Sequence, residues 1–199
     1  MRASAARGGG KTGLVSFVFR SLGRGDLEVL AGWLAAPHVH EWWSEHSDLA
    51  AVEARYGPGI DGDDPTEYFI VERDGVPFGF VQRYQFADEP GWVESLRPTG
   101  APLDGAGMDY LIADATQIGQ GLGTAMLAEF VADTWRRYPE VPALVVDVDP
   151  ANRRSWRALE HLGFERVWEG ELEAADPADA GPAVVYVLER PTDSSIQAR

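Results

Sequence analysis

The stretch "ATQIGQGLGTAML", residues 115–127, decides how this chain is read. Three glycines, Gly119, Gly121 and Gly123, stand at the head of "GLGTAMLAEFVADTWRRY" (121–138). There Leu122, Met126, Phe130 and Thr134 recur at helical spacing, with Leu127 and Val131 beside them. A helix beginning at Gly121 presents backbone N–H groups without intrahelical partners and the positive end of its dipole. Glycine lets a phosphate approach that backbone because no Cβ stands in the way. The spacing GxGxG is not the dinucleotide fingerprint GxGxxG, and the strand before it comes late in the chain. A tight turn that holds no ligand is the alternative, so the loop has to be weighed with its surroundings.

Outward from the loop, "MDYLIAD" (108–114) reads as the strand that feeds it, and "ALVVDVD" (143–149) as a buried strand after the helix. "NRRSWRALEHLG" (152–163) is a helix ending at Gly163, and "ERVWEGEL" and "AVVYVLER" are closing strands around an acidic loop. Nearer the N-terminus, "LVSFVF" (14–19) is strand-like. Asp26 is placed to cap the helix "LEVLAGWLAA", and Ser47 to cap "SDLAAVEARY", with a further short helix in "HVHEWWSEH". "EYFIVERDGVPFGFVQRYQF" forms a hairpin around Asp74-Gly75, followed by a Pro- and Gly-rich loop over 87–107. The sum is one mixed α/β domain over 14–191, with residues 1–13 a flexible leader and 192–199 a loose tail. "GGGKT" (8–12) is no phosphate loop, because Ala5 stands where that pattern needs glycine.

Composition narrows the function. The chain of 199 residues has no cysteine, which excludes disulfides, thiolate metal sites and a cysteine nucleophile. No apolar run has membrane-helix length and the first residues lack a signal-peptide core, so a cytoplasmic protein is expected. The formal charge of -15 disfavours nucleic acid and anionic membrane as partners. It favours a cationic small molecule, or serves only to keep the protein in solution. The four histidines (38, 40, 46 and 161) have no metal-ligand spacing, and no metal is expected.

The run Gln117, Ile118, Gly119, Gln120, Gly121, Leu122, Gly123, followed by a strand and "DPANRRSWRALEHLGFERV", resembles the GNAT acyltransferase superfamily. That resemblance implies the GNAT fold: a central mixed, mostly antiparallel sheet of six to seven strands flanked by helices. It implies acetyl-CoA as cosubstrate, its pyrophosphate on residues 117–123 with Thr124, its pantetheine arm near Asn152, and Leu111, Ile112 and Ala113 gripping it. "WLAAPHVHEWW", "ARYGPGI", "DGVPFGFVQRY", "GMDYLIAD" and "GPAVVYV" follow the order found in aminoglycoside 6'-N-acetyltransferases, over roughly residues 15–190.

Acetyl transfer to an amine needs an uncharged nitrogen, a polarised thioester carbonyl and a tolerable leaving group. Backbone N–H groups where "DYLIAD" splays from its neighbour are suited to the carbonyl. A free thiol titrates near about 8.5, so its departure does not demand a strong acid. Asp109, in "GMD", matches the aspartate that the aminoglycoside enzymes place as base, and the catalytic role is assigned to it. By residues alone a solvated strand-end aspartate is the alternative. Asp147, in "VVDVDP", would bind a second cationic amine, or cap the following helix, though Asp149 and Asn152 are closer to that task. The resemblance also places Trp43, Tyr56, Asp64, Trp92 and Asp179 along the substrate cleft, with a one-residue shift that would put Ala180 in the place of Asp179. Adjacent tryptophans on a helix are more often core than cleft, while a single ring stacked on sugar or ammonium would fit a cationic glycoside. Leu159 departs from the pattern: many GNAT enzymes carry there a tyrosine proposed to reprotonate the thiolate. Two rivals stand beside an aminoglycoside acetyltransferase acting as monomer or homodimer. One is a siderophore-type lysine N-acyltransferase, against which Asp109 argues because that group carries histidine there. The other is a non-catalytic domain binding acyl-CoA or aminoglycoside.

Overall fold

A computed structural model describes residues 16–174 and 180–191. Its frame is a seven-stranded sheet built from β1 (Phe17–Ser21), β2 (Glu67–Arg73), β3 (Val76–Gln85), β4 (Ala106–Ile112), β5 (Ala143–Val148), β6 (Glu165–Leu172) and β7 (Gly181–Glu189). The spatial order is β1-β2-β3-β4-β5-β7-β6. All neighbours are antiparallel except β4 and β5. The mixed, mostly antiparallel sheet flanked by helices is the architecture expected from the GNAT resemblance. The expected leader and tail, like the first two residues of "LVSFVF", lie outside the described residues.

Alternation along the strands sends apolar side chains to both faces. On one face Val71, Val81, Met108, Leu144 and Val146 pack against α5 (Leu122–Arg137) and α6 (Arg153–His161) through Met126, Leu127, Phe130 and Leu159. On the other, Ile70, Phe80 and Leu111 pack against Leu30 and Leu34 of α1 (Leu27–Leu34) and Val52 and Tyr56 of α3 (Leu49–Asp61). A third cluster joins Val145, Val185 and Val187 to Phe86 and to Leu96 of α4 (Pro90–Leu96). Burying each such Leu, Val or Phe contributes about 1.5–3 kcal/mol, which fixes the sheet between its helices.

Several local expectations shift. Asp26 stands at the N-cap of α1 but makes no side-chain cap bond there. Its carboxylate accepts instead from the Gly23 N–H and from Arg20, and that guanidinium holds its pKa below the usual carboxylate range. Asp48, not Ser47, caps α3, accepting from Ala51 N at 3.0 Å. The helix expected over "HVHEWWSEH" is the single turn α2 (Pro37–His40). The 87–107 loop contains α4, started by Pro90 at a position where a missing N–H costs nothing.

The feature that positions the site is the β4–β5 pairing. Only Ala106↔Leu144 and Gly107↔Val145 are paired, after which the two parallel strands diverge. Among the described residues, strand backbone in the gap has no neighbouring strand on that side, so an extended ligand bearing amides can supply the missing hydrogen bonds.

Candidate active site

A cleft of about 800 Å³ opens over the gap. Its floor is Met108, Asp109 and Tyr110 of β4 with Val146, Asp147 and Val148 of β5. Asp109 and Asp147 each lie two residues beyond the last paired positions, Gly107 and Val145. Period-two alternation therefore puts both carboxylates on the same sheet face, across the gap from one another. Tyr110, next to Asp109, points to the opposite face. Its hydroxyl lies 2.6 Å from Ser155 Oγ on α6.

Around that floor stand Trp42, Trp43 and Trp92, and the acids Glu45, Glu89 and Asp149. Among the lining residues the basic side chains are His46 and Arg55. Arg55 is already engaged, 3.5 Å from Glu45 Oε1 and 3.0 Å from the Tyr68 hydroxyl. A cleft so furnished attracts cations and offers indole faces for them to lie against. Trp43 meets Phe80 edge-on at 5.9 Å between ring centroids, which fixes its ring at the cleft wall.

Of the residues expected here, Asp109, Asp147, Trp43, Trp92 and Asn152 all line the cleft. Asn152 also caps α6, accepting from Ser155 N at 3.2 Å, while Asp149 accepts from Ala151 N at 2.7 Å. Helix capping is thus done by Asn152 rather than by Asp147. Tyr56 is fully buried behind the wall, and its hydroxyl donates to Glu45 Oε2 at 2.6 Å. Burial, reinforced by the Glu45 charge, raises its pKa far above the ordinary phenol value. Asp64 is likewise set back from the lining. It accepts from Thr66 N and from the Tyr68 hydroxyl, and Thr66 is the cleft residue. Asp179 lies outside the described residues, although Ala180 and Gly181 border the cleft.

Glu45, Glu89 and Gln82 were not expected from the sequence. Glu45 and Glu89 sit in irregular segments with no spacing that links them to residues 109 or 147. Gln82 had a readable signal: with Arg83 it breaks the apolar run 76–81 of its strand, and both are buried. Arg83 has a structural explanation, ion-paired to Glu67 at 2.6 Å and Asp133 at 2.7 Å. Gln82 has a partner in Asp109.

The glycine loop lies beyond the cleft, at the far end of β4. Asp114 caps a short turn over Ala115–Gln117, and Gly119 and Gly121 both take left-handed backbone, at φ 80° and 79°. Gly121 is the N-cap of α5, leaving the first-turn N–H groups of Leu122, Gly123 and Thr124 without helical acceptors. Gln117 donates through Nε2 to Asp114 Oδ2 at 3.4 Å, and Gln120 through its amide to Thr116 O at 2.7 Å. Ile118 closes the turn by donating its N–H to Ala115 O. Of the β4 end, Ala113 N–H is bonded to Phe78 O. By strand alternation Leu111 faces β3 as well, so the N–H groups of Tyr110 and Ile112 point into the gap. His38 Nε2 meets the Ile112 carbonyl at 3.0 Å. Leu159 is wholly buried in the core, away from the lining. Among the described residues no group of three or more His, Asp or Glu could hold a metal ion, and no helix is long and apolar enough to cross a membrane.

A diverging parallel strand pair with an acidic cleft over its gap, and beyond it a helix N-terminus whose first N–H groups lack helical acceptors, suit an acyl-CoA-dependent transferase. The model of the acetyltransferase (GNAT) domain matches residues 23–172, and the chain belongs to that family of acetyltransferases. It is 33% identical over 179 residues to the aminoglycoside N(6')-acetyltransferase type 1 of Klebsiella pneumoniae, covering 88% of this chain and 84% of that one. The crystal structure of aminoglycoside acetyltransferase AAC(6')-Ib with coenzyme A and kanamycin superposes with a TM-score of 0.73 at 32% identity. That match covers 88% of this chain and 95% of the other. A lysine N-acyltransferase of Mycobacterium tuberculosis is 25% identical, over 85% of this chain and 76% of its own.

Proposed function

We propose that this enzyme transfers the acetyl group of acetyl-CoA to the 6'-amine of an aminoglycoside, by direct attack within a ternary complex. The observation that carries the reading is the pair Asp109 and Asp147, on one sheet face across the β4–β5 gap, at the floor of a cleft walled by tryptophan and further acids. The pyrophosphate is held by the N–H groups at the start of α5 and the pantetheine arm runs along the gap toward Asn152. The thioester carbonyl then meets the N–H groups of β4, which stabilise the developing oxyanion. The ammonium held by Asp109 first gives up one proton through that carboxylate to water, and the neutral nitrogen then attacks the carbonyl carbon. A C–N bond forms, the C–S bond breaks with its electron pair going to sulfur, and the nitrogen's second proton passes through Asp109 to water. The thiolate takes a proton from water as it leaves. Asp147 holds a second ammonium of the sugar.

A lysine-type acceptor offers one ammonium to a cleft with several carboxylates, so it uses less of what the site provides. Purified protein with acetyl-CoA and kanamycin or tobramycin tests the reading, with free thiol release as signal. Turnover with the antibiotics that exceeds turnover with lysine derivatives supports it. Binding without thiol release points to a non-catalytic domain, and turnover confined to lysine derivatives to the other enzyme class.

A further inference from the structure

Gln82 and Asp109 are direct partners across the β3–β4 ladder, and Gln82 Nε2 donates to Asp109 Oδ2 at 2.7 Å. That bond fixes the amide's orientation, because the opposite one would press its oxygen against a carboxylate. Gln82 is 5% exposed and lines the cleft, yet its Oε1 has no hydrogen-bond partner. A buried acceptor without a donor is costly and uncommon in a folded protein. Here it lies on the amide that grips the proposed base, just beneath the wall of a cleft rich in acceptors. The group that completes it must bring N–H or O–H. A substrate ammonium approaching Asp109 brings up to three.

We infer that Gln82 is a substrate-binding residue whose Oε1 accepts a hydrogen bond from the amine to be acetylated, while its Nε2 holds the Asp109 carboxylate in line. The inference rests on the reading of this site as one that takes a cationic amine. One side chain thus orients both the nitrogen and the group that receives its proton. Two acceptors fix the nitrogen's direction of attack where a lone carboxylate fixes only its position. The two halves of the amide should separate in kinetics: the oxygen acts on the aminoglycoside, the nitrogen on the aspartate.

Steady-state kinetics of Gln82→Leu and Gln82→Glu, with kanamycin varied, test this directly. Gln82→Leu loses both functions. Its KM for kanamycin is expected to rise tenfold to about a hundredfold, the range for a hydrogen bond to a charged group, and its kcat to fall. Gln82→Glu keeps an acceptor, but two carboxylates so close cannot both ionise, and they share a proton. That takes from Asp109 its capacity as base, so KM stays within about threefold while kcat falls. KM for acetyl-CoA is unchanged in both. A folded Gln82→Leu with wild-type KM for kanamycin, or a pair of variants with equal KM, overturns the acceptor role. Should Gln82→Leu not fold, the side-chain carbonyl carbon of Gln82 in wild-type protein decides by NMR, identified by its loss in Gln82→Glu. Its resonance shifts on saturation with kanamycin if Oε1 is engaged, and an unmoved resonance overturns the inference. Wild-type protein that neither binds nor acetylates kanamycin removes the aminoglycoside reading itself, a different result from wild-type turnover with indifferent Gln82 variants.

Discussion

The Tyr110 hydroxyl is 2.6 Å from Ser155 Oγ, a single bond that ties β4 to α6 across the diverging end of the sheet. Burial raises the pKa of this phenol well above its ordinary value, with the charges of Asp109 and Asp147 adding to the effect and the Ser155 hydroxyl opposing it. A group whose folded pKa is raised stabilises the fold fully below its unfolded value, about 10, and loses that contribution as pH rises through the folded value. Tyr110→Phe is therefore expected to cost about 0.5–1.5 kcal/mol at neutral pH, by urea unfolding. It should also make the loss of stability above about pH 10 shallower than in the wild type. Equal midpoints at neutral pH would show that the bond adds nothing to the fold.

Gly121 governs the other end of the cosubstrate. A Cβ there meets no protein atom within 4 Å, so the residue's necessity lies in its φ of 79° and in what approaches from outside. Gly121→Val should strain the N-cap by about 1–2 kcal/mol and raise the KM for acetyl-CoA, with KM for the aminoglycoside little changed. An unmoved acetyl-CoA KM in a folded variant would take the pyrophosphate away from this loop.

Leu159 packs in the main core with no exposed surface. Restoring the tyrosine common in the superfamily would force an oversized side chain against Phe164 and its neighbours. Leu159→Tyr is expected to destabilise by about 1–3 kcal/mol and to leave kcat no higher. A clear rise in kcat would mean that the leaving thiolate needs an acid after all.

The sheet was legible because each strand announces itself locally. The hairpin at Asp74-Gly75 is a two-residue turn with both residues at positive φ, closing Arg73 against Val76 as "DG" predicts. α4 was hidden because "EPGWVESLRPTG" mixes turn residues with too few apolar ones to show a helical period, though Leu96 is wholly buried. Asp109 and Asp147 could be read through resemblance, but their sharing of one face follows from the register at Gly107 and Val145, which no local pattern states. The same holds for Glu45 and Glu89: tertiary packing alone brings them to the cleft, and Tyr56 stands one layer further back, holding Glu45.

Asp109→Asn keeps the shape of the side chain, and its amide oxygen can still accept from Gln82 Nε2. The fold should survive while kcat falls by about two to four orders of magnitude, the usual range for a positioned base. Near-normal kcat would mean that the amine loses its proton to bulk water before it attacks.

Asp147 tests whether the charge of -15 has a use. The carboxylate stands on the floor of the cleft while Asn152 caps α6, so its removal leaves the helix start intact. A charge-assisted hydrogen bond in a partly buried site is worth about 1.5–3 kcal/mol, against about 0.2–1 for an exposed pair. Asp147→Asn should therefore lower kcat/KM for the aminoglycoside about tenfold or more and leave the acetyl-CoA KM almost unchanged. Salt should act in the same direction on the wild type. At an ionic strength of about 1 M the Debye length falls to about 3 Å, and the pull of Glu45, Glu89 and Asp149 on a polycation is screened. A monoamine acceptor, with fewer charges to steer, should feel that change far less. If the aminoglycoside KM is flat across salt and indifferent to Asp147, the acidic balance serves solubility alone, and a small-amine acceptor becomes the better reading of the cleft.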